Sequence, residues 1–280
     1  MRDIRIIALA ELRHLMRSAQ GILAFCFLAI YTAWVLSKLV DNADFINSLA
    51  AGRGGQGGAF ILAAAAWLAD IDNAVMGRLL DEHSAFLFTL FAMLAWALPM
   101  LTMIASLDQN ASDIGSRGIR FLLTRTSRGS LLLGRFAGTA LFWIAALGLV
   151  VCAGTLTALA VDESFGVGAI LVDGLWLFFS LTLIALPFIA FLSLCSVVTG
   201  NPLLSATMGI GCYLGIGLLG FLGGLLHEAV EAVRYAFPDP LRFHLLLGTT
   251  SQAVVATLVM PAFTTAYLLL AGLILRRRDL

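Results

Sequence analysis

Charged residues are scarce in this sequence. Only 12% of its 280 residues are Asp, Glu, Lys or Arg, whereas 60% are hydrophobic. A typical soluble domain carries roughly 25% charged residues. Several uninterrupted apolar runs also reach the roughly 20 residues that a helix needs to cross a bilayer. This composition excludes a soluble protein and predicts a single transmembrane domain over residues 1–280.

The sequence also lacks the motifs of several kinds of catalytic and metal site. It holds no GxxxxGK[ST] loop for nucleotide phosphates, no HExxH and no GxSxG. Its four cysteines form no CxxC pair and fall within apolar runs. The pairs Glu82–His83 and His227–Glu228 satisfy no ligand spacing, which favours ordinary surface residues over a metal site. We expect no catalytic residue, metal or cofactor here, and a membrane enzyme is disfavoured.

Six apolar runs predict six membrane-spanning helices in an all-α fold. Their approximate bounds are 21–40, 85–107, 136–161, 175–198, 203–226 and 254–275. Ionisable residues are essentially missing from the middle of these runs, which argues against an ion-coupled transporter. The fifth run is rich in glycine, which suits either tight helix packing or a mobile or pore-lining helix.

Polar segments flank these runs. Residues 1–20 form an amphipathic pattern that suits either a short interfacial helix or the charged flank of the first span. The segments 41–84 and 227–251 are predicted to lie outside the membrane, on the side opposite to the two termini. Helices are predicted within them at 59–82 and 227–237. Segment 59–82 is interpreted as interfacial or re-entrant, with a seventh span as the alternative, because its ten-residue apolar run is too short to cross.

Basic and acidic residues divide unequally between the two sides of the predicted bundle. The side with both termini carries 12 of the 17 basic residues and five of the 17 acidic ones. By the positive-inside rule, this side and both termini are cytoplasmic. Its most basic part is the loop 108–135, whose arginines are Arg117, Arg120, Arg125, Arg128 and Arg135.

The loop 108–135 has an internal order that lipid contact alone does not require. An apolar knob at residues 119–123 lies between arginines, and Thr126 and Ser127 then interrupt the apolar pattern. A basic cytoplasmic loop can simply contact lipid phosphates. A short helix with an apolar tip and flanking guanidinium groups also suits a groove in another protein, where arginines pair with acids on the rim.

The segment 118–136, GIRFLLTRTSRGSLLLGRF, resembles the cytoplasmic loop of the ABC type-2 permeases, the membrane subunits of ABC exporters. That loop reads as an acidic stretch, Gly-Thr-Leu-x-x-Leu-Leu, a small or Pro element, Ser-Arg and Gly-Lys. Ile119 and Thr126 depart from this pattern, and the preceding acids are only Asp108 and Asp113. The opening LAELRHLMRS and the closing RRRDL are also similar to the family. The matching loop positions are Gly118, Leu122, Leu123, Ser127, Arg128, Gly134 and Arg135.

The resemblance implies the permease subunit of an ATP-driven exporter in a bacterial cytoplasmic (inner) membrane. It implies a second permease subunit, identical or related, and a separate ATPase subunit that binds ATP and Mg²⁺. The chain itself would be no enzyme, bind no cofactor and contact lipid but no nucleic acid. The ATPase-coupling residues that the resemblance and the knob together indicate are Gly118, Ile119, Arg120, Phe121, Leu122, Leu123, Arg125, Arg128 and Arg135.

Two functions are compatible with these features. An amphipathic or lipid-like substrate fits the apolar spans of an exporter best. The alternative is a mechanotransmitting or scaffold subunit, which passes the motion of the ATPase to an extracytoplasmic protein without transporting a substrate. The acidic outer segments motivate this alternative.

Overall fold

A computed structural model describes residues 2–50, 83–107, 109–116, 118, 121, 124, 126–162, 165–226, 232–247 and 250–278. Over these residues the chain is helical and contains no strand. Two 3₁₀ helices, Ala232–Ala236 and Asp239–Leu241, interrupt the series of α-helices. The α-helices are α1 (Arg2–Arg17), α2 (Ala19–Asp41), α3 (Ala43–Ala50), α4 (Ala85–Ser106), α5 (Ala111–Gly115), α6 (Arg128–Val161), α7 (Val167–Thr199), α8 (Pro202–Leu226), α9 (His244–Leu247) and α10 (Thr250–Arg277).

Six of these helices are long and apolar enough to cross a membrane, namely α2, α4, α6, α7, α8 and α10. Over the described residues this confirms the predicted all-α membrane fold with six spans. Segment 59–82, for which a seventh span was the alternative, lies outside them. The helix α6 begins at Arg128, well before the predicted span 136–161, because the Ser127 hydroxyl caps it by accepting a hydrogen bond from the Ser130 N–H at 3.1 Å. A helix can continue beyond the apolar stretch, since lipid excludes charge but not helical backbone.

The helix α7 forms the centre of the bundle. It packs against α4, α6, α8 and α10. In its most apolar stretch 78% of the residues are buried, against 17% in the corresponding stretch of α8. Large apolar side chains such as Leu218 and Leu269 are exposed on the peripheral helices α8 and α10. That exposure suits contact with lipid or with another membrane subunit.

The amphipathic helix α1 packs closely against the first turns of α6. A methyl group on Gly138 would lie 2.6 Å from the Ala8 carbonyl oxygen, so only glycine permits this approach. Ala8 and Leu15 are buried, while Arg13 is exposed on the opposite face. The last turn of α10 lies beside the start of α6 at the same end of the bundle. We call this the terminal end, and the opposite one the distal end.

Four polar residues join three helices at the distal end. The Ser84 backbone N–H and the His83 ring contact the two oxygens of Asp173 at 3.1 and 2.7 Å. The Ser84 hydroxyl donates to Asp162 at 2.6 Å and also caps α4. Because that hydroxyl donates to Asp162, the cluster is not a Ser–His–Asp relay. These contacts fasten α4 to the distal ends of α6 and α7.

Residues 232–247 fold back into the bundle, and we call them the re-entrant segment. Arg234 lies against Gly220 of α8, where a methyl group would approach the Arg234 Cβ to 2.7 Å. Deeper in the bundle, the Tyr213 hydroxyl contacts Asp239 at 3.1 Å. At the tip, Phe237 is 3% exposed and its ring centroid lies 4.8 Å from that of Phe191, which is near the terminal end of α7.

The segment then returns towards the distal end. Arg242 contacts Ala95 in the middle of α4, and the Phe243 ring lies edge-on to that of Phe91, one turn nearer the distal end. The Leu245 carbonyl accepts a hydrogen bond from the Trp176 indole at 3.1 Å. Successive residues therefore meet successively more distal levels of the bundle.

This course differs from the segment outside the membrane that the sequence predicts over 227–251. Pro238 and Pro240 prevent a regular helix, and 232–236 is 3₁₀ rather than part of an α-helix. Such backbone is tolerated within a membrane protein where side chains satisfy it, as Tyr267 does for the Ala236 carbonyl at 3.0 Å. Residues 227–231 and the predicted helices at 59–82 lie outside the described residues.

Candidate functional site at the connection between α4 and α6

The connection between α4 and α6 contains the residues predicted to couple to an ATPase. Arg128 and Arg135 belong to the first turns of α6 rather than to a loop. Gly118 and Phe121 lie in the connection itself. The predicted residues that fall outside the described part of the chain are Ile119, Arg120, Leu122, Leu123 and Arg125.

Arg135 is an internal brace. It is 9% exposed, forms an ion pair with Asp113 and donates to the Gln109 carbonyl at 2.6 Å. The Gln109 amide in turn donates to the Thr139 hydroxyl at 2.9 Å, one turn further along α6. A buried guanidinium requires such partners, because an unpaired charge away from water is strongly unfavourable. The bonds tie the start of the connection to α6.

A second set of bonds ties the connection to α7. The Asn110 backbone N–H donates to the Ser196 hydroxyl at 2.9 Å, and its side-chain amide donates to Ser193 at 3.2 Å. A methyl group on Gly115 would lie 2.7 Å from the Gly200 carbonyl oxygen. Gly200 ends α7 with a φ of 63°, a left-handed conformation that favours glycine. The connection therefore lies directly on the terminal end of α7.

Two arginines cap the ends of membrane helices at the terminal end. Arg128 donates to the Leu275 and Arg276 carbonyls at 2.6 and 2.9 Å, at the end of α10. Arg278 donates to the Val197 carbonyl and, at 3.3 Å, to the Val198 carbonyl at the end of α7. The last carbonyls of a helix lack helical partners and carry partial negative charge, so guanidinium groups stabilise them. The caps join α6, α10 and α7 in series.

Phe121 is an exposed residue of this hydrogen-bonded connection. Its side chain is 81% exposed. The Phe121 N–H donates to the Gly118 carbonyl at 3.1 Å, and the Thr124 hydroxyl donates to the Phe121 carbonyl at 2.7 Å, so a local turn supports the ring. An exposed phenyl ring next to arginines is typical of a protein contact, where aromatic and Arg side chains supply much of the binding energy.

The arrangement of the described residues can transmit force. The connection carries an exposed ring, and its hydrogen bonds and one ion pair, together with those of Arg128, reach α6, α7 and α10. Within the described residues, no group of three or more His, Cys, Asp or Glu side chains is placed to hold a metal ion. The capping roles of Arg128 and Arg278 carry no sequence signal, because their acceptors are backbone carbonyls.

Comparison with known proteins gives one family. A family model described as ABC-2 family transporter protein matches residues 5–236. The match runs from α1 to the first 3₁₀ helix and includes the connection between α4 and α6. A search of curated proteins finds no match.

Proposed function

The chain belongs to the ABC-2 family of transporter proteins, and from this premise we propose that it is the permease subunit of an ATP-driven exporter. It is a multi-pass membrane protein, and its family implies association with an ABC ATPase subunit. In this proposal the ATPase binds ATP and Mg²⁺ and performs the hydrolysis. The chain itself supplies the membrane path and the attachment point and is not an enzyme.

The observation that carries the proposal is the exposed Phe121 in a connection that Arg135 and Asn110 bond to α6 and α7. The ring is 81% exposed, whereas Arg135 in the first turns of α6 is buried and ion-paired with Asp113 of the connection. A groove on the ATPase that receives Phe121 would bury a large apolar surface, and acids on its rim would pair with neighbouring arginines. The knob 119–123 is then the docking element.

Motion of the ATPase would pass from the docking element into the bundle. The ion pair of Arg135 with Asp113 carries it to α6, and the bonds of Asn110 to Ser196 and Ser193 carry it to α7. Arg128 carries it to the end of α10. Since these contacts are buried or partly buried, the terminal ends of the three helices would move together with the connection.

The proposal also specifies location and assembly. The excess of basic residues on the terminal side supports a cytoplasmic location of that side, in a bacterium whose cytoplasmic membrane would hold the chain. A second permease subunit, identical or related, would complete the transporter. The weakly buried flank of α8 offers room for it, since a methyl group on Gly211 or Gly215 would meet no heavy atom within 4 Å.

The test is co-purification of an ATPase with the affinity-tagged chain from its native host. Phe121→Asp should abolish recovery of the ATPase, because a carboxylate cannot enter an apolar groove. The control is Gly129→Asp, which adds the same charge nearby at an open position in the first turn of α6. An intact complex with Phe121→Asp would contradict the docking proposal.

The mechanotransmitter alternative predicts a different stimulation of the same complex. Export predicts that an amphipathic substrate raises the ATPase rate of the complex in vesicles. A mechanotransmitter predicts stimulation only by an added extracytoplasmic protein. Its motivation comes from the acidic outer segments, of which residues 51–82 lie outside the described part of the chain.

A further inference from the structure

The re-entrant segment brings charged side chains to a depth where the apolar runs contain none. Asp239 and Arg242 belong to it and contact Tyr213 and Ala95 in the middle of α8 and α4. Arg234 also belongs to it and lies against Gly220, nearer the distal end of α8. Ionisable groups at such depth are costly, and they occur in membrane proteins mainly along the path or binding site of a ligand. The surroundings of these three residues are therefore of interest.

These residues line a cavity between α4, α8 and the re-entrant segment. Its volume is about 580 Å³, within the range of roughly 300–1,000 Å³ for small-molecule sites. Met100, Leu218 and Phe243 form part of an apolar wall. Trp96 and Leu214 on the same wall are 58% and 53% exposed on the flank of the bundle. The cavity thus opens sideways, towards the region that lipid chains occupy.

Arg242 supplies hydrogen-bond donors within this cavity. The residue is 7% exposed, and its Nη1 donates to the Ala95 carbonyl at 3.3 Å and to Asp239 at 2.9 Å. Its buried Nε has no hydrogen-bond partner within the described part of the chain. A guanidinium has five N–H donors, and a buried donor without a partner is unfavourable until a ligand satisfies it.

The described charges of the lining favour an anion. They are the guanidinium groups of Arg234 and Arg242 and the single carboxylate of Asp239. The Tyr213 hydroxyl contacts Asp239 at 3.1 Å, so that carboxylate already has two internal partners. Guanidinium groups match the oxygens of carboxylates and phosphates.

We propose that this cavity binds an anionic amphiphile, with a carboxylate or phosphate headgroup at Arg234 and Arg242 and an alkyl chain along the apolar wall. The open flank at Trp96 and Leu214 lets the alkyl chain of the ligand enter from the bilayer without crossing water. The inference rests on the proposed exporter function only in identifying the bound molecule as the substrate; the binding site itself stands independently of an ATPase.

The test is photolabelling of the purified chain in phosphatidylcholine nanodiscs with a radiolabelled, photoreactive hexadecanoate. Labelling should saturate and should map to 213–220 or 234–243. Excess hexadecyl phosphate should compete, whereas hexadecanol and inorganic phosphate should not. Competition by hexadecanol would show an apolar cleft without headgroup recognition. Competition by inorganic phosphate alone would show a site for the free anion, and either result would overturn the proposal.

Two variants test the two halves of the site. Arg234→Gln removes a headgroup partner and should weaken labelling about tenfold or more. Gly217→Leu should do the same by filling the cavity, since Gly217 lines it and a Cβ there meets no atom within 4 Å. If both variants were labelled as strongly as the wild type, the proposal would be overturned. Thermal unfolding of each variant confirms that it is folded.

Two control variants match these changes outside the cavity. Lys38→Gln removes one exposed charge near the distal end of α2, and Gly168→Leu enlarges an equally open position in the first turn of α7. Both should label as the wild type does. Binding without ATPase co-purification would retain the site and reject the coupling proposal. Co-purification without saturable labelling would retain coupling and reject the anionic amphiphile.

Discussion

Arg242 donates a hydrogen bond, 3.3 Å long, to the backbone carbonyl of Ala95. In a regular helix that carbonyl would accept the N–H four residues later, but position 99 is a proline and has none. Arg242 therefore supplies the donor that Pro99 lacks. Because the same Nη1 also holds Asp239, one side chain links the re-entrant segment to α4.

This relationship predicts an energetic coupling between Arg242 and Pro99. Arg242→Ala should lower the free energy of unfolding by about 1.5–3 kcal/mol, through the loss of charged hydrogen bonds. In a Pro99→Ala background a new backbone N–H serves the Ala95 carbonyl, so the cost of Arg242→Ala should fall by about 0.5–1.5 kcal/mol. Unfolding in SDS measures both. Pro187→Ala, at the other buried helical proline, is the control and should leave the cost unchanged.

Substitutions of Arg128 and Phe121 should affect different properties: the first should lower stability and the second should abolish ATPase recruitment. Arg128→Ala leaves the last carbonyls of α10 without their donor and should lower the free energy of unfolding by about 1–3 kcal/mol, while ATPase co-purification persists. Phe121→Asp should leave the free energy of unfolding nearly unchanged, because the Phe121 ring contacts little of the folded chain, but should abolish ATPase co-purification. Loss of co-purification with a correctly folded Arg128→Ala variant would contradict the distinction.

The two ion pairs of Asp113 and Asp41 should differ in strength. Asp113 pairs with Arg135, whose side chain is 11% exposed, so Asp113→Asn should cost about 1–3 kcal/mol of unfolding free energy. Asp41 pairs with Lys38 at 3.5 Å, and both side chains are 58% exposed. Asp41→Asn should therefore cost less than about 1 kcal/mol. Equal costs in SDS unfolding would show that Arg135 gains no special stabilisation from Asp113.

The packing of α1 on α6 should depend on Gly138. In Gly138→Val the added carbon atoms meet the Ala8 carbonyl and the Glu11 side chain, at a cost of about 1–3 kcal/mol, and α1 should detach. Limited trypsin digestion detects this as faster cleavage after Arg13 and Arg17. Gly129→Val at an open position of the same helix is the control, and its digestion should match the wild type.

Single cysteines at the two ends should report the orientation of the chain. The native Cys26, Cys152, Cys195 and Cys212 are free and are first replaced by Ala. A cysteine at Gly129, at the terminal end, should react with an impermeant maleimide only after the cells are opened. One at Val167, which is 64% exposed at the distal end, should react in intact spheroplasts. The reverse pattern would overturn the cytoplasmic placement of the termini.

Much of the fold follows from the apolar runs. Each of the six runs became a membrane helix because backbone groups in lipid must be hydrogen-bonded within the helix. The resemblance in residues 118–136 is confirmed by the family match over 5–236. The start of α6 at Arg128 was not predicted, since hydropathy detects the apolar part of a helix and not its cap at Ser127.

The candidate site was predictable only in part. The arginines of the 108–135 loop were found by their charge, but charge does not distinguish a surface residue from a brace. Arg135 is buried against Asp113, and Arg128 caps α10, because the tertiary fold brings acceptors from elsewhere in the chain to each side chain. Arg278 was noted only as part of the closing RRRDL, which is similar to the family, although it caps the end of α7.

The sequence by itself determined the class of the molecule, the six spans of its described part and the family of its central loop, because these depend on local composition and on residues that are near one another in the chain. The tertiary structure alone decided that residues 232–247 enter the bundle. Their length and polarity also suit an outer loop, and only contacts with Ala95, Tyr213 and Phe191 compensate for burying their backbone and charges.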